Sequence, residues 1–230
     1  MKFFFLLLLA VPTFAAEWKN EGEAGVIIST GNSRAQSLSA KQASDYEWSA
    51  NSAHVKGSFL QAKNQGQLSA RRWDFGIRYE RELSRMWRVF LGQSLESDRF
   101  AGYQQRYASD LGAKHWLYRV EKEWEWFAEL GYRYQMENRT NGSRARDSLV
   151  RTYTEASRSW SETASSKLWL EYLPNLSRTR DWLLNGEFSS SFALNAVFAV
   201  KLAYLVRYDN EPVNAKNTDT TYTTALVAKF

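Results

Sequence analysis

The chain has two histidines, His54 and His115, and no cysteine. Disulfides and thiolate metal sites are therefore excluded. Acid–base chemistry would have to come from imidazole beside a serine or a carboxylate. His115 shares a strand face with Ser109, six residues away. Strand geometry separates two such side chains by about 20 Å, too far for proton transfer. A barrel-wall lipid hydrolase built on His115 would need a serine from a neighbouring strand. His54, near Lys56, reads as a polar interior residue. Asp98 and Asp110, or Asp209 and Asp219, lack the regular spacing of a calcium loop. There is no Gly-rich phosphate loop, zinc motif or nucleophile elbow. No catalytic residue, metal or cofactor is assigned, and a non-enzyme is expected.

The charged residues say more, because they alternate with apolar ones. In 124–136, Trp124, Trp126, Ala128, Leu130, Tyr132 and Tyr134 form one stripe, and Glu125, Glu129 and Arg133 fall on the opposite face. Against a bilayer the apolar stripe faces lipid. A charge facing lipid at midplane costs roughly 2–4 kcal/mol for Arg or Lys, so the ionised face turns inward. This places Lys56, Arg78, Arg88, Arg106, Lys114, Arg133, Arg151, Lys167, Lys201 and Arg207 in a lumen. With them go Asp74, Glu80, Glu96, Asp110, Glu125, Glu129, Glu155, Glu171, Asp181 and Glu187. Two interiors fit these residues. One is a water-filled pore whose charge rings select solutes. The other is a narrow lumen in which opposite charges pair and do nothing further. The ten basic and ten acidic groups balance, which favours pairing.

The elements that would position these charges are strands of period two. The clearest is the last. Tyr222, Thr224, Leu226, Ala228 and Phe230 share one face, and the chain stops on the aromatic ring. Such a strand closes an outer-membrane β-barrel and serves as its assembly signal. Earlier strands are expected at 21–30, 35–44, 48–62, 67–81, 86–96, 105–117, 124–136, 148–160, 167–173, 181–189 and 195–208. The fold class is therefore all-β: a transmembrane antiparallel up-and-down barrel of about twelve strands, with ten or fourteen also compatible. The later odd-numbered connections are long and polar (97–104, 137–147, 174–180 and 209–218). The even ones are short. Long loops belong outside and short turns in the periplasm. Pro174 and Pro212 are expected in loops, where a missing N–H does no harm. Arg139, Arg144 and Arg146 fall in one long loop, Arg178 and Arg180 in another. Arginine can bind phosphate bidentately, so the first three are candidate lipopolysaccharide contacts.

Residues 1–16 read as a secretory signal, with Lys2, an apolar run from Phe3 to Val11, and small residues at 13–16. The barrel is then 17–230. No later apolar run approaches the ~20 residues of a spanning helix. A mean hydropathy of −0.52 is compatible with a barrel, because only alternate residues meet lipid. The net charge of +5 falls to +4 without Lys2, too mild to argue for nucleic acid. The expected setting is a Gram-negative outer membrane, with lipid, lipopolysaccharide and the barrel-assembly machinery as partners and a monomeric state.

Three segments carry a resemblance. Thr30-Gly31-Asn32-Ser33 is similar to an early Thr-Gly-Asn-Thr turn, and Asp98-Arg99-Phe100-Ala101-Gly102 to a central Asp-Arg-Phe loop. Val206-Arg207-Tyr208-Asp209-Asn210-Glu211-Pro212, followed by Asp219-Thr220, completes the set. In this order they resemble the salt-induced outer-membrane protein family, the YdiY-like group with a domain of unknown function. Leu111-Gly112-Ala113-Lys114-His115 departs from it, keeping one glycine where the family tends to a Gly-rich stretch. The resemblance implies a β-barrel and an outer-membrane location, and brings no activity, ligand or site residue. The function expected is a porin-like barrel of unassigned activity: a narrow charge-lined channel or envelope salt-stress component. The alternative is a non-conducting, surface-binding barrel.

Overall fold

The computed structural model describes residues 17–29, 35–212 and 216–229. The expected signal segment, the turn at 30–34 and the terminal Phe230 lie outside the described residues. Twelve strands follow one another: β1 (Glu17–Ser29), β2 (Ala35–Trp48), β3 (Asn51–Asn64), β4 (Gln67–Ser84), β5 (Trp87–Asp98) and β6 (Tyr103–Val120), then β7 (Trp124–Arg139), β8 (Arg144–Ser159), β9 (Ala164–Pro174), β10 (Trp182–Ala193), β11 (Phe198–Asp209) and β12 (Thr218–Lys229). Each pairs antiparallel with its sequence neighbours, and β12 pairs with β1 to close the barrel. Closure joins the two edge strands, with a seam ladder that covers four residue pairs, Glu21–Ala24 against Lys229–Leu226.

Alternation decides which side each residue takes. Ile77, Leu91, Leu111 and Leu130 are 49–63% exposed, because they point away from the barrel with no protein over them. Aromatic rings flank this aliphatic band. At the rim where β1 begins and β12 ends (the terminal rim), Trp18, Tyr46 and Trp48 touch in series, with centroids 5.5 and 5.1 Å apart. Toward the far rim, Tyr172, Trp182 and Tyr208 do the same at 5.7 and 4.8 Å. An apolar band between two aromatic girdles fits a bilayer and its two interfaces. Tyr222, Thr224, Leu226 and Ala228 of β12 lie in the outward register of this surface, Tyr222 stacking near Tyr204 at 4.5 Å.

The strands run further than hydropathy alternation alone indicates, and the connections shrink. The long loop expected at 97–104 is the four-residue turn 99–102, and that at 137–147 is the turn 140–143. Arg139 therefore ends β7, and Arg144 and Arg146 begin β8. Pro174 ends β9 opposite Trp182 rather than lying in a loop, and Asp181 lies just before β10. The physical reason is that ladder hydrogen bonds need no apolar side chains, so a hairpin continues past the lipid with polar residues on both faces. The expected asymmetry survives only in the last two far-rim connections, 175–181 and 210–217. At the opposite extreme β3 and β4 meet in the two-residue turn Gln65-Gly66, with φ of 51° and 81°. Two positive φ values suit the twist of a tight hairpin.

Candidate functional site

The inward faces of β3 to β9 build a continuous chain of ion pairs across the lumen. Glu80, on β4, is 2% exposed and surrounded by cations. Arg78 lies at 2.8 Å, Lys114 at 3.5 Å and Arg88 at 3.6 Å, and the imidazole ring of His54 stands 3.9 Å away. Arg78 also donates two hydrogen bonds, of 3.0 and 2.6 Å, to Glu129 on β7. Arg151 of β8 bonds Glu129 at 2.5 Å and Glu171 of β9 at 2.7 Å. Glu171 further accepts from Arg133 and from Asn185, both at 3.2 Å. Arg133 closes the series on Asp110 with a bidentate pair of 2.7 and 2.8 Å. Planar guanidinium groups match carboxylates two bonds at a time, which fixes geometry as well as charge.

Several of these pairs join strands that are not neighbours. Two strands stand between β4 and β7, so Arg78–Glu129 passes over the interior. Arg207 of β11 reaches Glu96 of β5 at 3.6 Å, and these strands stand six places apart in a ring of twelve. That contact spans the full diameter. Glu96 is also bound by Arg106 at 2.8 Å, which continues to Glu137 at 2.7 Å. On the other wall Lys41 of β2 lies 3.6 Å from Glu23 and 3.7 Å from Glu187 of β10. Lys201 bonds Glu23 and lies 4.0 Å from Glu187.

The remaining candidates sit at the edges of this belt. Glu155 meets Lys167 at 3.7 Å and Tyr153 Oη at 2.5 Å. Asp74 accepts from Ser58, and Glu125 pairs with Arg119 at 3.4 Å. Lys56 has no ion pair among the described residues. Asp181 lies at the far mouth, held by Arg178 at 2.5 Å. Burial there lifts its carboxyl above the ordinary range, against the pull of Arg178. Arg178 is itself pushed up, first by its hydrogen bond to Asp147. The three candidate lipopolysaccharide contacts divide. Arg139 donates to the interior Glu137 at 2.9 Å, whereas Arg144 and Arg146 are exposed.

Two sets of interior residues escaped the sequence. Lys41 lies on β2, whose alternation is weak, and Glu23 on β1, in the charged row Glu17, Lys19, Glu21 and Glu23. An aromatic arc also lines the charged face: Trp116, Phe127, Tyr153 and Trp169 on β6 to β9 follow one another at 6.1, 5.9 and 6.0 Å. Lys114 sits over Phe127 at 4.2 Å, and Arg78 over Phe90 at 3.8 Å. The Phe90 ring in turn covers Gly112, which faces Gly131 across the ladder. A methyl on Gly112 would come within 2.6 Å of that ring and of the Leu130 carbonyl. The single glycine of the 111–115 stretch thus makes the floor on which Phe90 lies.

Neither histidine forms a reachable catalytic group. His115 Nδ1 lies 3.1 Å from the Met86 carbonyl, and its ring stacks on Trp87 at 4.2 Å. Ser109 bonds Gln93 instead. His54 lies between Asp45 at 2.6 Å and Ser52 at 3.1 Å, an order of groups that can activate a serine. Ser52, however, is 2% exposed and lines neither end cavity.

Those cavities lie on opposite sides of the belt. One, of about 140 Å³, opens at the far rim and reaches Arg133 and Glu171. The other, of about 300 Å³, opens at the terminal rim among Ser157, Ser165, Ser189, Lys167 and Glu155. They share no lining residue.

The backbone is similar to that of the NanC porin (12% identity, TM-score 0.55, 93% of this chain and 99% of that one). It is also similar to an outer-membrane channel from Pseudomonas putida F1 (10%, 0.55, 96% and 97%) and to the KdgM porin (11%, 0.50, 93% and 99%). At such identities the likeness is one of fold. No curated protein matches the chain. The family model for proteins of unknown function DUF481 matches residues 22–230, and the three motif segments resembled this same YdiY-like group. This twelve-stranded barrel with a charge-crossed interior belongs to the DUF481 family.

Proposed function

We propose that the protein is an outer-membrane barrel, exported by residues 1–16, whose resting lumen is closed to organic solutes by its own ion pairs. The observation that carries this is the contact between Arg207 and Glu96 across the full diameter at 3.6 Å. The Arg78–Glu129 bridge supports it at a second level. Parting such a pair leaves two charges uncompensated in the interior, which opposes thermal clearing of the path. The porin-like fold supports the membrane setting. A non-enzymatic barrel fits the enclosed Ser52 and the occupied His115.

Planar-bilayer recording tests the closure. The wild-type barrel is expected to give no discrete openings over a range of salts. Removing both levels, with Arg207→Ser and Glu96→Ser added to Arg78→Ser and Glu129→Ser, is expected to give stepwise conductance. Large steady openings of the wild type, unchanged in that quadruple variant, would refute the closed lumen.

A second reading concerns the surface. Arg144 and Arg146 are exposed at the far rim, where they can bind lipopolysaccharide phosphate. Arg139 is not part of it, being committed to Glu137. Assembly by the barrel machinery through β12 and a monomeric state belong to the same proposal.

A further inference from the structure

The far-rim cavity has a feature that closure alone does not use. Two donors in its wall lack an acceptor among the described residues: the Tyr103 hydroxyl and Arg207 Nε. Tyr103 is 2% exposed, its ring packed under Arg106 at 3.8 Å. Arg207 has one carboxylate neighbour, Glu96, at the loose distance of 3.6 Å. Arg72 lies in the same ladder row as Tyr103, through Asp98, and its Nε is also buried without an acceptor. A buried donor without an acceptor is unfavourable. Two in the wall of one opening, with a third in the adjoining ladder row, mark a place that lacks an acceptor.

We infer that this cavity binds a small hydroxylated carboxylate, held by Arg207 and Tyr103. A carboxylate offers two oxygens in one plane, matching the Nε and Nη edge of Arg207 and leaving a lone pair for the Tyr103 hydroxyl. Asn185, Asn217 and Ser94 line the same space and suit hydroxyl groups. The volume of about 140 Å³ is near the ~150 Å³ of a cavity that takes a benzene-sized molecule. Four acidic and four basic side chains line the cavity, so the attraction for an anion is local to Arg207 rather than spread over the lining. The site lies on the far side of the belt, and binding there is independent of whether the lumen conducts.

Titration calorimetry on the folded barrel in detergent tests the site, with glycerate as probe. Glycerol supplies hydroxyls without charge, and inorganic phosphate supplies a competing anion. Glycerate is expected to bind saturably, with glycerol and phosphate at least tenfold weaker. Arg207→Gln is expected to weaken glycerate at least tenfold. Tyr103→Phe, which removes one hydroxyl and keeps the ring, is expected to weaken it roughly threefold. Should Arg207→Gln fail to fold, as judged by heat-modifiable gel mobility, Tyr103→Phe decides alone. Absent saturable binding, glycerate affinity unchanged in the folded variants, or phosphate binding as tightly as glycerate would each overturn the inference.

Discussion

Across β4 to β9 most interior carboxylates are held by guanidinium groups, with Lys114 added at Glu80 and Lys167 alone at Glu155, whereas Glu23 of β1 and Glu187 of β10 are held by ammonium groups. On the arginine side Glu129, Glu171 and Asp110 receive bonds of 2.5 to 3.2 Å, several of them bidentate. On the lysine side Lys201 makes one buried hydrogen bond, to Glu23, and the other contacts are looser, with Lys41 at 3.6 Å from Glu23 and 3.7 Å from Glu187 and Lys201 at 4.0 Å from Glu187. A guanidinium fork is fixed in plane by its carboxylate, whereas an ammonium on a four-carbon stem is a movable point charge. Aromatic packing sharpens the contrast, because Phe90, Trp116, Phe127 and Tyr153 brace the arginine side. The barrel thus has one rigid interior wall and one compliant wall. A widening of the lumen would begin at Lys41, the part-exposed and loosely held cation of this wall.

The largest effect should come from breaking the rigid wall. Glu129→Ala leaves Arg78 and Arg151 facing each other without their shared anion. It is expected to cost about 3–5 kcal/mol, read from the denaturant midpoint of the refolded barrel in micelles. A loss below about 1 kcal/mol would mean that the two walls are equally soft. Gly112→Ala should come next, at roughly 1–3 kcal/mol, because the new methyl meets backbone on β7 as well as the Phe90 ring. A neutral result by the same measurement would show that the Phe90 floor is not packed as described. Lys41→Met tests the compliant wall. Lys41 is one-third exposed, so its removal is expected to cost less than about 1 kcal/mol. A cost equal to that of Glu129→Ala would erase the contrast.

The smallest effect concerns Asp181 at the far mouth, outside both walls. Its carboxyl is raised in the folded barrel, first by burial. A raised acid holds its proton longer in the folded state. The stability it contributes is full below its unfolded value near 3.8 and is lost as pH rises through the folded value. Asp181→Asn should therefore flatten the unfolding midpoint in the window above pH 3.8 and leave the belt unaffected. A variant that follows the wild-type pH curve would reject this.

The same contrast explains what was legible in the sequence. On β4, β7 and β11 strong alternation separates lipid-facing rows from charged rows, and the twelve-strand barrel follows. On β2 small polar residues face both ways, so Lys41 carried no periodic signal, whereas Glu23 falls in the alternating charged row Glu17, Lys19, Glu21 and Glu23 of β1, a signal that was there to be read. Nor does any spacing reveal partners. Arg78 and Glu129 are 51 residues apart, Lys201 and Glu23 178 apart, and only closure of the ring joins them. The inward aromatic arc was hidden because Phe127 follows the outward Trp126 and looks like part of its girdle. Arg139, Arg144 and Arg146 looked like loop residues because hydropathy ends where lipid ends, while strand pairing goes on.

The closed lumen is tested most directly by asking which side each end cavity can be reached from. The native chain has no cysteine, so single thiols report without background. Ser94→Cys places one in the far-rim cavity, and Ser157→Cys places one in the terminal-rim cavity. In proteoliposomes of one orientation, a membrane-impermeant thiol reagent added to one side should label only the thiol on that side. Labelling of both thiols from a single side, in wild-type belt background, would contradict a lumen closed by its own charges.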